Sequence, residues 1–222
     1  MSKYHDETIT CPKCGEQGTF QLWESVNVDI DPELREKVFN EELFLWECPK
    51  CGAKVFIPYG TIYHDMTHKF MLFYDYGEPE TDKYASLDIP KEFGLDENYT
   101  FRVVYGLDNL KEKIRMFEQG ATNDVAVERM KHMIINLLNP EIKENGYHML
   151  FANVNYDKTE ENEFGTISFV YFDESGQAKG KAYDLQLYYE HCLACDLDPR
   201  MKVEGCVCVD GEWMAQQLKK EE

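Results

Sequence analysis

Cys11-Pro12-Lys13-Cys14-Gly15 and Cys48-Pro49-Lys50-Cys51-Gly52 are identical pentapeptides, with 33 residues between Cys14 and Cys48. A C-x-x-C-G turn lets two thiolates converge on one ion while backbone N–H groups point back at the sulfurs. Glycine at the fifth position supplies the positive-φ backbone that closes the turn. Proline at the second position pre-sets its entry. Two such turns provide four thiolates, the closed tetrahedral coordination of a structural zinc site. No position is left open for water, so Cys11, Cys14, Cys48 and Cys51 predict a staple and not a catalyst. Four unrelated thiols would leave the repeat of the pentapeptide without a cause.

A second quartet lies near the C-terminus. Cys192 and Cys195 stand three apart at the end of an expected helix and share a face. Cys206 and Cys208 stand two apart in an expected strand and also share a face. Together they are a candidate second metal site, with His191 as a substitute ligand. Against it, cysteine is readily buried, C-V-C-V suits a core strand, and neither pair has the knuckle's turn chemistry. A redox role for Cys192 and Cys195 is disfavoured by Asp196, which raises a neighbouring thiol's pKa.

His64-Asp65-Met66-Thr67-His68 invites comparison with the H-E-x-x-H helix of zinc proteases. That motif needs two histidines on one helical face and a glutamate base. Here the flanks alternate like strands, so a hairpin turn is the simpler reading. A His64–Asp65 pair orienting a loop, or His64 beside the zinc ligands, stay open. No phosphate-binding loop, dinucleotide fingerprint or nucleophile elbow is present.

These groups sit in a chain of 222 residues with 42 acids against 23 bases, a net charge of −19. One zinc bound to four thiolates would add about −2. Such a surface repels phosphate backbones, so nucleic-acid binding, common among zinc ribbons, is disfavoured. The most basic stretch, Lys111-Glu112-Lys113-Ile114-Arg115, reads as the solvated face of a helix. Met1 to Thr10 is polar, without the apolar core of a signal peptide. No apolar run is long enough to span a membrane, and thiols without a secretory signal read as reduced. The cytoplasm is the expected address.

The elements that must position the first knuckle are an alternating strand from Gly18 to Ile30 and a short helix after Asp31-Pro32 that buries Leu34 and Val38. A strand from Glu42 to Trp46 leads into the second knuckle. Val55 to Tyr63 and Lys69 to Tyr76 are further strands around a turn at residues 65–67. Phe70 to Tyr76, too apolar for an exposed edge, is expected in the sheet core in preference to a protein-binding surface. Gly77 to Asp88 is the linker candidate. Beyond it come a strand over 99–105, a helix from Asp108 to Gln119, and a helix from Asp124 to Leu138 burying Val127, Met130, Ile134, Leu137 and Leu138. Two more strands occupy 146–156 and 164–172, joined by an acidic loop from Asp157 to Glu163. A helix over 182–195, a strand over 202–209 and a terminal helix complete the chain.

Ile9 to Gly15, Asn27 to Leu34, Phe44 to Gly52 and Ile62-Tyr63-His64-Asp65-Met66 resemble the CpXC family, named for its two C-P-x-C motifs. Phe101 to Lys131 is similar to the segment C-terminal to the motif domain in the family's bacterial members. The resemblance covers roughly the first 135 residues. It implies a bacterial or archaeal zinc-binding protein and assigns no activity; the C-terminal third matches none of the family's motifs.

The expected fold is α+β: a zinc-ribbon-containing antiparallel sheet domain over residues 1–80, then a small α+β domain over 81–222. The expected function is a zinc-stabilised, non-catalytic interaction module whose acidic face docks a basic protein partner. The alternative from another class is a metalloenzyme or hydrolase-like enzyme with a cleft between the domains near His64 and Asp65. One zinc is expected; oligomeric state is open.

Overall fold

The computed structural model describes residues 1–77, 93–95, 98–144, 148–159 and 162–220, and of 157–159 and 162–164 the backbone alone. The chain is mixed α+β and divides into two units, Met1–Leu107 and Asp108–Glu222.

In the first unit, β1 (Lys3–Thr10) and β2 (Gln17–Asn27) form an antiparallel hairpin, followed by α1 (Glu33–Phe39). A separate short hairpin joins β3 (Leu45–Glu47) to β4 (Lys54–Phe56). Then β5 (Thr61–Asp65), β6 (Phe70–Asp75) and β7 (Thr100–Tyr105) complete a five-stranded sheet in the order β1-β2-β5-β6-β7. The sheet is mixed and not antiparallel throughout, because β2 pairs parallel with β5, and β6 with β7. Parallel neighbours need a crossover connection. Between β2 and β5 that crossover is α1 together with the β3–β4 hairpin.

β6 lies between two neighbours, and all of Phe70, Met71, Leu72, Phe73 and Tyr74 are buried. The run is sheet core, as its composition implied. Leu34 and Val38, one turn apart, are the buried face of α1. Pro32 occupies the cap position itself, and no side chain caps the helix. The expected linker, beyond Gly77, and the expected division at residues 80 and 81 lie outside the described residues.

The second unit opens with α2 (Leu107–Glu118) and α3 (Asp124–Met133), whose last turn widens into a π-turn over Ile134–Leu138. After α4 (Pro140–Glu144), strands β8 (Met149–Thr159), β9 (Asn162–Phe172) and β10 (Ala178–Asp184) form an antiparallel sheet in the order β10-β9-β8. Helices α5 (Leu185–Leu197) and α6 (Gly211–Lys219) close the unit. Its core joins Met116 of α2, Met130 of α3, Phe151 of β8, Phe169 of β9, Tyr188 of α5 and Met214 of α6.

Several expectations change here. β8 and β9 run on into the stretch expected as an acidic loop, with Lys158 opposite Glu163 and Thr159 opposite Asn162, so residues 157–159 and 162–163 are strand. Residues 178–184, expected to be partly helical, form β10 because β9 offers a free edge; α5 starts only at Leu185, where the Asp184 carboxylate caps Gln186 N. Residues 202–209 form no strand, only a single bridge at Val207, with Gly205 at φ 73°. Leu137 and Leu138 are exposed: Asn139 N bonds to Ile134 O, five residues back, and the wider turn rotates both leucines outward.

The largest departure lies in the helix face read as solvated. Glu112 and Lys113 are buried, with Asp124, Glu128 and Lys131. Lys131 Nζ lies 2.9 Å from both Glu112 Oε1 and Glu128 Oε1, and Lys113 Nζ lies 3.0 Å from Asp124 Oδ2. Glu112 Oε1 also accepts the Phe151 amide at 2.5 Å. Charges this deep persist only when paired and hydrogen-bonded. The partners come from a second helix, so the local pattern of α2 gave no sign of them.

Candidate metal centre

The two knuckles are the tips of two hairpins, one between β1 and β2 and the other between β3 and β4. Both fold by the same bonds. Cys11 N donates to Glu16 O at 2.8 Å and Gly15 N to Cys11 O at 2.9 Å; Cys48 N donates to Ala53 O at 2.9 Å and Gly52 N to Cys48 O at 3.0 Å. Gly15 and Gly52 have φ of 74° and 66°, the left-handed region that favours glycine. The hairpins approach closely because β2 carries glycine where they meet. A Cβ on Gly18 would lie 2.8 Å from the Trp46 ring. An exposed Lys50–Glu16 pair at 3.0 Å adds little.

This packing gathers Cys11, Cys14, Cys48 and Cys51, whose sulfurs all lie within 4.8 Å of one another. Cys11 and Cys48 are buried, Cys51 is half-buried and Cys14 is exposed. Cys11 Sγ stands 3.7 Å from Cys51 Sγ, and Cys14 Sγ 3.6 Å from Cys48 Sγ. Disulfide sulfurs would stand about 2.05 Å apart. Four thiolates on a tetrahedral ion with metal–sulfur bonds of about 2.3 Å stand about 3.8 Å apart along each edge. The separations therefore fit four thiolates around one metal ion.

The electrostatics agree. Burial opposes the Cys11 thiolate, but the Lys13 and Cys14 amides and neighbouring sulfurs outweigh it and lower its pKa to about 7. The Glu16 amide favours the Cys14 thiolate, but burial and the other three sulfurs raise its pKa to about 12. Sulfurs this close cannot all carry charge without a cation among them.

The structure does not gather the second quartet. Among the described residues no other set of three or more Cys, His, Asp or Glu ligand atoms clusters in this way. Cys195 and Cys206 are buried. Burial pushes the Cys195 thiol up to about 11, and burial with Asp210 pushes Cys208 up to about 12. Cys208 Sγ donates to Asp210 Oδ2 at 3.4 Å. Without the strand expected over 202–209, Cys206 and Cys208 share no strand face. His191 is buried 3.2 Å from Arg129 Nη1, and burial with that cation lowers its pKa to about 4.

His64 and Asp65 occupy successive positions of β5 and so point to opposite faces. Asp65 is buried and accepts from His68 N at 2.8 Å, with His68 Nδ1 at the same distance. His64 contacts Asn27 and Tyr99, each at 3.4 Å. The carboxylate of Asp29 receives Met66 N and Thr67 N, which fastens the turn to the end of β2. His64 pairs opposite Asn27, and the knuckle lies beyond the other end of β2. At about 3.3 Å per residue, ten residues of strand separate them by roughly 30 Å. The His64–His68 stretch is therefore a tied turn, neither a protease helix nor a neighbour of the four sulfurs.

The fold and site define a protein with a four-cysteine cluster, built on two hairpin tips, that could hold one metal ion. The family model for CpXC protein matches residues 9–131, more than half of the chain. The chain belongs to the CpXC family. No curated protein and no solved structure matches it. Among the described residues no helix is long and apolar enough to cross a membrane.

Proposed function

We propose that the four cysteines bind one zinc ion as a zinc ribbon, and that the protein is a non-catalytic interaction module. The zinc holds two hairpins together and offers a rigid acidic face to a basic protein partner. The observation that carries this reading is the four-sulfur set, which fills a tetrahedral shell and leaves no position for water or substrate. Zinc suits an all-thiolate tetrahedral site better than harder divalent ions, which prefer oxygen. Between β2 and the second knuckle, Asp31 to Glu47 carries six acids against two bases. Glu33, Glu36, Glu42 and Glu47 on this segment are exposed.

Lysine- and arginine-rich peptides titrated into the zinc-loaded protein should bind less tightly as salt rises, because exposed charges are screened. Reversal of Glu33, Glu36 and Glu42 to lysine should weaken binding more than reversal of Glu204 and Glu212, exposed in the second unit. Equal losses from both sets, or binding indifferent to salt, would overturn the acidic face as the docking surface.

A further inference from the structure

We propose that a groove between α3, α5 and α6 of the second unit binds a small monocarboxylate with an apolar body, held through its carboxylate by Arg129. The groove measures about 490 Å³, within the range of about 300–1,000 Å³ that small-molecule sites occupy. Its apolar walls are Met133 of α3, Leu187 of α5, Leu218 of α6 and Leu137 of the π-turn. Met133, Leu187 and Leu218 also pack against the core of the unit, which fixes those walls. Leu137 is 76% exposed. The wider turn that rotates it outward places it on the rim of the groove, and turns of this kind recur at functional sites.

Arg129 decides what the apolar body must carry. It is half-buried, and its Nη1 donates to Nδ1 of the buried His191 at 3.2 Å. A guanidinium only donates, so Nδ1 is the acceptor and the imidazole is neutral. Its pKa, lowered to about 4 by burial and by Arg129, agrees. Both residues line the groove, so the bond between them lies in its wall and holds the guanidinium there. Among the described residues no carboxylate pairs with Arg129, and its remaining N–H groups have no partner. Asp198 feels the charge of Arg129 but is already gripped by Arg200, from Nε at 2.9 Å and from Nη2 at 2.8 Å. A half-buried guanidinium that no acid of its own chain engages suits a carboxylate, whose two oxygens match its planar fork.

The rim limits the charge of the ligand. Glu190 also lines the groove, on an exposed side chain. One cation beside one exposed acid, in a chain of net charge −19, favours a monoanion over the dianion of a phosphate monoester. A carboxylate without a body would leave the apolar walls in water. A neutral alcohol would leave the guanidinium without a counter-charge. An apolar chain ending in one carboxylate satisfies both.

The test titrates the metal-loaded protein with octanoate, 1-octanol and acetate, followed by calorimetry and by the amide signals of α3 and α5. Saturable octanoate binding that shifts both sets of signals is expected. 1-Octanol should bind at least about tenfold more weakly, the scale of one lost charge-assisted hydrogen bond, and acetate, with no body to bury, more weakly than octanoate as well. Arg129→Met should remove the advantage of octanoate over 1-octanol. Glu190→Gln, a change on an exposed side chain that leaves the core untouched, should tighten octanoate and leave 1-octanol unchanged. Leu137→Ser, exposed likewise, should weaken both. No saturable octanoate binding, 1-octanol bound as tightly as octanoate, or octanoate affinity indifferent to Glu190→Gln overturns the proposal.

Discussion

Cys51→Ser is expected to strip the metal from the protein and unfold its first unit. Serine keeps the size of the side chain but supplies a neutral hydroxyl where the site needs a thiolate. Metal binding at such sites contributes about 10–16 kcal/mol in isolated finger peptides, comparable with the whole stability of a domain, about 5–15 kcal/mol. Without the ion, the three remaining sulfurs stay crowded and two hairpins lose the link between their tips. Metal analysis of the purified variant, with amide NMR signals of β1 to β4, checks this. Cys192→Ser, outside the site, should keep both the metal and the signals.

Lys131→Met should destabilise the second unit by about 3–5 kcal/mol, the usual cost of removing one partner from a buried ion pair. Burial works against the Lys131 ammonium, but Glu112 and Glu128 outweigh it and hold its pKa above the usual lysine value. Methionine fills the same space and takes the charge away, leaving Glu112 and Glu128 to face each other in the core. For a unit of this size the melting temperature should fall by well over about 10 °C, as scanning calorimetry of the full chain would show. Glu128→Gln keeps the shape of the side chain and leaves Lys131 its Glu112 partner, so it should be much better tolerated. A methionine variant as stable as the parent would mean that the network is not charged as described.

The two variants probe features that differed in how far the sequence displayed them. The knuckles were legible because their chemistry is local: five residues contain both ligands, the turn and its glycine. β2, α1 and α2 were legible from hydrophobic periodicity, and the buried run of β6 from composition. What stayed hidden depends on partners distant in the chain. β10 has little intrinsic strand character and exists because β9 has an edge to fill. The parallel pairing of β2 with β5 is set by the crossover and not by either strand's pattern. Glu112 and Lys113 looked like solvent-facing charges because the residues that neutralise them, Asp124, Glu128 and Lys131, lie 11 to 19 positions away on another helix. The second cysteine quartet failed for a related reason: spacing in sequence placed two thiols on a strand face, and the chain makes no strand there.

Four thiolates and nothing else are proposed to hold one zinc at the hairpin tips. Metal stoichiometry of the native protein, combined with X-ray absorption at the zinc edge, tests it most directly. The expected result is one zinc per chain with four sulfur neighbours at about 2.3 Å. Two zincs per chain, a nitrogen or oxygen neighbour in the shell, or protein purified without metal and still folded would contradict it.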